Sequence, residues 1–63
     1  MKTSRYVLRS GSLFVAPLDA STMQNPLTPN RTDAMVLDRR DNEQAKARFF
    51  SVLFGAPFVA EVL

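Results

Sequence analysis

One end of the chain carries most of its large apolar side chains. Residues 49–63 contain four of the five phenylalanines, and their only polar side chains belong to Ser51 and Glu61. A chain of 63 residues buries roughly 60% of the surface that it exposes when unfolded, so its free energy of unfolding is only about 3–5 kcal/mol. The apolar segment must therefore supply the core of one small domain, a surface for a partner, or both.

The composition excludes several classes of enzyme. The chain has no cysteine and no histidine, which removes disulfides, thiolate metal sites, cysteine nucleophiles and the commonest general base. Its only glycines are Gly11 and Gly55, so it has no glycine-rich phosphate loop. We therefore expect no catalytic residue, no cofactor and no metal, and a protein that is not an enzyme.

The charge and hydropathy patterns favour a cytoplasmic protein that is not in a membrane. The apolar run of residues 49–63 is shorter than the roughly 20 residues that a membrane-spanning helix needs, and Gly55, Pro57 and Glu61 interrupt it. A signal peptide is not expected, because polar residues interrupt the segment that follows the basic amino terminus. The net charge is only +2, and Arg39 and Arg40 are flanked by Asp38 and Asp41, so bulk charge gives little support to nucleic-acid binding.

The amino-terminal half predicts a β-hairpin followed by a long loop. Residues 5–9 and 13–16 are rich in β-forming side chains and are separated by a glycine-containing turn. With Ser10 and Gly11 as the loop, Leu8 is expected opposite Leu13. The core face of this hairpin is predicted to carry Tyr6, Leu8, Leu13 and Val15. Residues 17–33 then show no apolar periodicity, which predicts a loop that is either structural or a binding element.

The carboxy-terminal half predicts a third strand, a helix and a last strand. Residues 34–37 have a strand composition, and Asp41 with Gln44 predicts a helix cap. The helix is expected to end at Phe54, before Gly55, and residues 58–62 form the last strand. The predicted fold is a single α+β domain over residues 1–63, in the order β-β-β-α-β. It has a four-stranded sheet, one helix on one face, and a parallel third and fourth strand.

The predicted helix has two apolar stripes, although a small sheet needs only one. At 100° per residue the first stripe contains Ala45, Phe49, Val52 and Leu53, and we expect it to face the sheet. Phe50 and Phe54 belong to the second stripe, which is either covered by the long loop or exposed for a partner. The predicted contact residues for a partner are Phe50, Phe54, Arg39, Arg40, Lys46 and Arg48.

Two other groups of residues permit alternative readings. Asp38, Asp41 and Glu43 lie close together in sequence, but we assign them to the positive end of the helix rather than to a magnesium ion. The outer face of the hairpin is predicted to carry Arg5, Arg9 and Phe14. That mixture of basic and aromatic side chains is the alternative site, one for single-stranded nucleic acid.

The order of the segments resembles that of a known class of proteins. The elements that carry the resemblance are residues 6–9, Gly11, residues 13–16, 27–29 and 34–37, and then Asp41 with Ala45. This arrangement is similar to that of small accessory proteins of phages and prophages, some of which inhibit bacterial CRISPR–Cas complexes. The resemblance implies an anti-CRISPR type of inhibitor that acts in the cytoplasm of an infected or lysogenic bacterium.

The sequence therefore predicts a non-enzymatic protein-interaction module, and the resemblance implies that it blocks the working surface of a host defence complex. The slight positive charge argues against imitation of DNA and favours a direct protein contact. One alternative is a small single-stranded nucleic-acid-binding protein. The other is a homodimer with a structural role, in which the phenylalanine stripe forms the twofold contact.

Overall fold

A computed structural model describes residues 4–38 and 42–63 of the chain. These residues form an α+β domain with one α-helix and a curled antiparallel sheet, so the predicted fold class is confirmed. The elements are β1 (Arg5–Ser10), β2 (Leu13–Val15), β3 (Leu27–Thr28), a 3-10 helix (Arg31–Asp33), β4 (Leu37–Asp38), α1 (Glu43–Phe54) and β5 (Val59–Val62).

Strand β1 is the centre of the sheet. Tyr6 pairs with Leu37 of β4 and with Val62 of β5, while Arg9 pairs with Phe14 of β2 and also with β5. Because a strand residue has one neighbour on each side, β5 occupies one side of β1. Strands β2 and β4 share the other side, one at each end of β1.

The hairpin of β1 and β2 is confirmed, but its predicted register is wrong by two residues. Ser10 pairs with Leu13 and Arg9 with Phe14, so the loop consists of Gly11 and Ser12 instead of Ser10 and Gly11. Gly11 has a φ of 61°, a left-handed conformation that glycine adopts without steric cost. A shift of two residues preserves the alternation of faces, and Tyr6, Leu8 and Val15 are in the core as predicted, whereas Leu13 is 38% exposed.

The sheet is buried on both faces around β1. On the helix side, Tyr6, Leu8 and Val15 form a core cluster with Phe50 and Phe58. On the opposite side, a second cluster contains Val7, Phe14 and Ala34, which the segment after the 3-10 helix covers. Tyr6, Val7 and Leu8 all have 0% exposure, so the middle of β1 is buried on both faces, while Arg5 at its start is exposed.

The segment 17–33, predicted as a loop, contains structure that the sequence pattern did not indicate. Leu27 pairs with Val15 and Thr28 with Phe14, which makes β3 a further antiparallel strand. The third predicted strand is shorter and later than expected, since β4 comprises only Leu37 and Asp38. Met35 instead donates its backbone N–H to the carbonyl oxygen of Val15 at 2.8 Å, which joins this segment to the end of β2.

The expected parallel neighbours are absent from the sheet, in which every pair of described strands is antiparallel. Strands β4 and β5 run in the same direction, but β1 lies between them. The crossover through α1 therefore passes over the central strand. Sequence order alone does not show that a strand will be inserted between the two.

The helix ends where predicted and begins one residue later than predicted. Asn42 is the N-cap, and its side-chain oxygen accepts the backbone N–H of Ala45 at 3.1 Å. Asp41, the predicted cap, lies outside the described residues. Gly55 ends the helix in a left-handed conformation with a φ of 66°, and Ser51 then fixes the following turn by accepting the N–H of Phe58 on its Oγ at 2.8 Å.

The predicted orientation of the helix is wrong. Phe50 is buried with 5% exposure and Phe54 packs against the same core, whereas Phe49 is 59% exposed. The rings of Phe50, Phe54 and Phe58 form a continuous series, with centroid separations of 6.2 and 5.6 Å. Because Phe58 follows the Gly55 turn onto β5, this series requires the second stripe, rather than the first, to face the sheet.

The two adjacent phenylalanines provide a direct test of the helix orientation. Truncating the buried ring in Phe50→Ala should destabilise the protein by about 3–5 kcal/mol, which is comparable to its whole stability. Truncating the exposed ring in Phe49→Ala should cost well under half of that, because most of its surface is already hydrated. Thermal unfolding followed by circular dichroism makes the comparison, and equal losses in the two variants would contradict this orientation.

Candidate functional site

Four large apolar side chains are exposed together on one side of the protein. Met23 is 71% exposed, Phe49 59%, Val52 79% and Leu53 57%. We refer to these four residues as the apolar patch. Exposed apolar side chains that occur singly are ordinary, whereas a contiguous group of them commonly marks an interaction surface.

The helix determines the position of three members of the apolar patch. At 100° per residue, Phe49, Val52 and Leu53 lie within a single arc, directed away from Phe50 and Phe54. The ring of Phe49 meets that of Phe50 edge-on, with centroids 5.1 Å apart and planes at 89°. The buried ring thus supports the exposed one, and Phe49 is presented on a rigid element rather than on a loop.

A tight turn presents Met23, the fourth member. The carbonyl oxygen of Asp19 accepts the backbone N–H of Met23 at 2.7 Å, and Asp19 in turn donates its own N–H to the carbonyl of Gln24 at 2.8 Å. Met23 has a φ of 58°, a left-handed conformation that costs a residue with a Cβ roughly 1–2 kcal/mol. Such strain at an exposed apolar residue motivates a functional explanation for it.

The side chain of Asp19 holds this turn in place. Its Oδ1 accepts a hydrogen bond from the Ser21 hydroxyl at 2.7 Å and another from the Ser21 backbone N–H at 2.9 Å. These donors stabilise the carboxylate, so they lower the pKa of Asp19 below its ordinary value of 3.8. The turn is therefore held by an ionised side chain at neutral pH.

The turn and the helix form one continuous surface. Met23 and the helix residues Phe49 and Leu53 line the same groove, which has a volume of about 450 Å³. Asn25, on the wall of this groove, donates its side-chain N–H to the carbonyl oxygen of Ala16 at 3.0 Å, which ties the segment after the turn to the end of β2. The long segment between β2 and β3 therefore completes a surface that the helix begins.

Basic side chains border the apolar patch. The helical angles place Lys46 on one flank of the stripe and Arg48 on the other, and both side chains are exposed. Neither is in an ion pair with a carboxylate of the described residues. Arg39 and Arg40, which were also predicted to contact a partner, lie outside the described residues.

Phe50 and Phe54 were predicted to contact a partner, but both pack against the sheet instead. Both rings belong to the core on the helix side, so they support the apolar patch from beneath instead of forming it. The pattern failed to identify Phe49, Val52 and Leu53 because both stripes are apolar. The sequence signal that could have identified the buried stripe was the spacing of Phe50, Phe54 and Phe58, which places three rings in line across the Gly55 turn.

The structure also revises the predicted nucleic-acid face. Phe14 is buried with 8% exposure in the second core cluster, so its ring is not available for stacking on a base. Arg9 donates from Nε to Glu61 Oε1 at 2.8 Å and from Nη1 to the carbonyl of Gly11 at 3.0 Å. Of the predicted group, Arg5 alone is classed as exposed. Phe14 is in the core, and Arg9 is held by Glu61 and Gly11.

Within residues 4–38 and 42–63, no three acidic, histidine or cysteine side chains are grouped closely enough to hold a metal ion. No helix in the same ranges has the length and apolar character needed to cross a membrane.

Comparisons with known proteins identify no relative. No protein-family model, curated protein or solved structure matches the chain. The function must therefore be argued from the surface that the chain itself presents.

The titration of Asp19 tests the turn that presents Met23. Because the folded pKa lies below the ordinary value, the contribution of this carboxylate to stability is present above about pH 4 and is lost as the pH falls through the folded pKa. Replacing Ser21 with Ala removes the strongest donor and should raise the pKa of Asp19 towards 3.8. An NMR titration of the carboxyl carbon measures it, with Ser12→Ala as a control that should leave this pKa unchanged. An equal pKa in wild type and Ser21→Ala would contradict the proposed geometry.

Proposed function

We propose that the chain is a non-enzymatic protein-interaction module and that the apolar patch is its binding surface. The observation that carries the proposal is the exposure of Phe49, Val52 and Leu53 on a helix whose opposite side already fills the core. Contact with water makes such a surface costly by about 25 cal/mol per Å², so a partner that covers it gains that free energy. Phenylalanine and methionine are also enriched where proteins bind one another.

The side chains around the apolar patch are suited to binding a protein rather than to catalysis. The side chains on its border are two cations, Lys46 and Arg48, and neutral amides such as Gln24 and Asn25. The chain has no histidine or cysteine that could act as a base or a nucleophile. According to this proposal, the protein acts by occupying a surface that its partner needs.

The basic border indicates the kind of surface that fits. A complementary surface has an apolar centre with acidic residues around it, so that Lys46 and Arg48 meet carboxylates at the rim. Rim charges of this type mainly accelerate encounter and make the association rate sensitive to salt, while the buried apolar contacts supply most of the affinity.

We propose a bacterial defence complex, such as a CRISPR–Cas effector, as the partner class, and the cytoplasm as the site of action. The support for this is the similarity of the segment order to that of small phage and prophage accessory proteins. The near balance of acidic and basic residues, with a net charge of +2, favours a direct contact with a protein subunit over imitation of the DNA charge.

Two lysine substitutions test the proposal with a matched control. Val52→Lys places a charge at the most exposed position of the apolar patch, and Val36→Lys places the same charge on an exposed valine elsewhere. Both variants should retain the fold, because neither side chain is in the core, and at position 52 lysine is also a good helix former. We expect Val52→Lys to lower the affinity for the partner at least tenfold and Val36→Lys to leave it nearly unchanged.

The measurement has two stages. Tagged wild-type protein is first used to recover partners from nuclease-treated bacterial lysate, and the recovered protein is then titrated with both variants. In cells, wild type should protect a plasmid that a CRISPR–Cas system targets, and Val52→Lys should fail to do so. Equal binding by the two variants would exclude the apolar patch, while recovery that disappears on nuclease treatment would favour a nucleic-acid partner. Sedimentation of the purified chain shows whether the patch is instead occupied by a second copy.

A further inference from the structure

The edge of strand β5 is a second surface, separate from the apolar patch. Strand β5 pairs with β1 on one side, and no strand of the described residues pairs with its other side. Leu63 donates its N–H to the carbonyl of Arg5 at 2.9 Å, which determines which residues of β5 form hydrogen bonds to β1. In an antiparallel pair only every second residue bonds across to its partner. The backbone groups of Ala60 and Val62 are therefore directed away from β1, towards the free edge.

A groove runs alongside this edge. Its floor contains Phe58, Ala60 and Val62 from the sheet, and its wall is formed by Ala47, Arg48 and Ser51 of the helix. The volume is about 700 Å³, which is within the range of roughly 300–1,000 Å³ that binding pockets occupy. Tyr6 and Leu8 are paired with Val62 and Ala60, so the floor continues the core face of the sheet to its rim.

The shape of this site suits an extended peptide. A strand added to the edge would bond to the backbone of Ala60 and Val62, and alternate side chains would enter the groove. A helix could not use both features, because only an extended backbone has donors and acceptors at the spacing of a strand.

The charges near the edge define the peptide further. On the face opposite the helix, Glu61 bonds to Arg9 at 2.8 Å and to Arg31 at 3.0 Å, so two guanidinium groups surround one carboxylate. Arg31 also reaches over the edge and donates to the carbonyl of Val62 at 3.4 Å, a long bond that a peptide amide can replace at shorter distance. On the groove wall the charge of Arg48 is offset by Glu43, so the excess of positive charge lies on the face opposite the helix, beside Arg31. The edge is therefore complementary to acidic side chains.

We propose that the β5 edge binds an extended peptide segment in which apolar and acidic residues alternate. The segment runs antiparallel to β5, as every described pair of strands in this sheet does. Its apolar side chains lie on Ala60 and Val62 in the groove, and its acidic side chains lie on the other face beside Arg31. This inference does not depend on the apolar patch or on the proposed defence-complex partner.

The direction of the added strand makes the proposal testable at the level of single amides. In an antiparallel pair, residues that bond to one another have side chains on the same face. The apolar residues of the peptide must therefore be the ones whose N–H groups bond to β5. In a parallel arrangement the acidic residues would supply those N–H groups instead.

The probe is a capped octapeptide of alternating valine and glutamate, titrated into the full chain. Binding should shift the NMR amide signals of Ala60 and Val62. A peptide with N-methylated valines should bind at least tenfold more weakly, because it loses the bonds to the edge. The control peptide, with N-methylated glutamates, should bind like the parent. A peptide with lysine in place of glutamate should also bind more weakly.

Protein variants complete the test. Ala60→Pro removes an N–H that points away from β1, at an edge position that tolerates proline, and it should abolish binding. Circular dichroism monitors the fold of this variant, and the N-methylated peptides test the same contact on the unaltered protein. Val52→Lys, which disrupts the apolar patch, should bind the peptide normally, so failure of one surface does not imply failure of the other.

Three results would overturn the proposal. The first is equal affinity for the parent peptide and the valine-methylated peptide. The second is a set of shifts confined to the outer side of α1. The third is a dimer that Ala60→Pro converts to a monomer, since that result would place a second copy of the chain on the edge.

Discussion

The burial of β1 on both faces is the constraint from which the rest of the structure follows. Tyr6, Val7 and Leu8 are consecutive and fully buried, so covers are required above and below the same strand. The described residues contain one α-helix, which covers the face of Tyr6 and Leu8. The face of Val7 is covered by the segment around Ala34, and this need explains why the long region between β2 and β4 returns across the sheet. The ion pairs of Glu61 with Arg9 and Arg31 are half-exposed, so they close the rim of this second cover and add little stability.

The same constraint leaves one side of the helix largely exposed in the part of the chain that the structure describes. The Gly55 turn brings Phe58 back against Phe54 and Phe50, so the helix face that carries these rings is fixed against the sheet by a local connection. Among the described residues, no second layer covers the opposite stripe, and the Met23 turn only borders it. Exposed apolar surface of this extent lowers solubility and favours association. The buried Phe50 ring supports the apolar patch, and the strained Met23 turn extends it. Both features are typical of a binding surface.

Local signals in the sequence were sufficient for the hairpin, the helix and the last strand, whereas β3 was missed and the orientation of α1 was decided by long-range packing. Gly55 marks the end of the helix because its effect is confined to one turn, and the hairpin faces are preserved because alternation has a period of two. The register shift, by contrast, depends on the choice between Gly11 and Ser10 as the first loop residue, which local composition leaves open. Strand β3 contains only Leu27 and Thr28, too few residues to show a period. The orientation of α1 could not be obtained from its own periodicity, since both stripes are apolar and Phe58, outside the helix, determines which one is buried. The candidate site was missed for that reason, although the sequence did indicate that one stripe would remain unused.

The two proposed surfaces adjoin the same helix, and this arrangement limits what a natural partner can be. The apolar patch occupies the outer side of α1, the β5 groove lies along one flank of it, and Arg48 borders both. A helix with its side chains is only about 10–12 Å wide, so a single partner can reach both surfaces if an extended segment adjoins an apolar one. Each site is small, but binding at the first would make binding at the second intramolecular, with an effective concentration in the millimolar range for a short connection. Such a partner would be held more tightly than either surface alone allows. Two modest sites on one small chain would thereby give a stable complex.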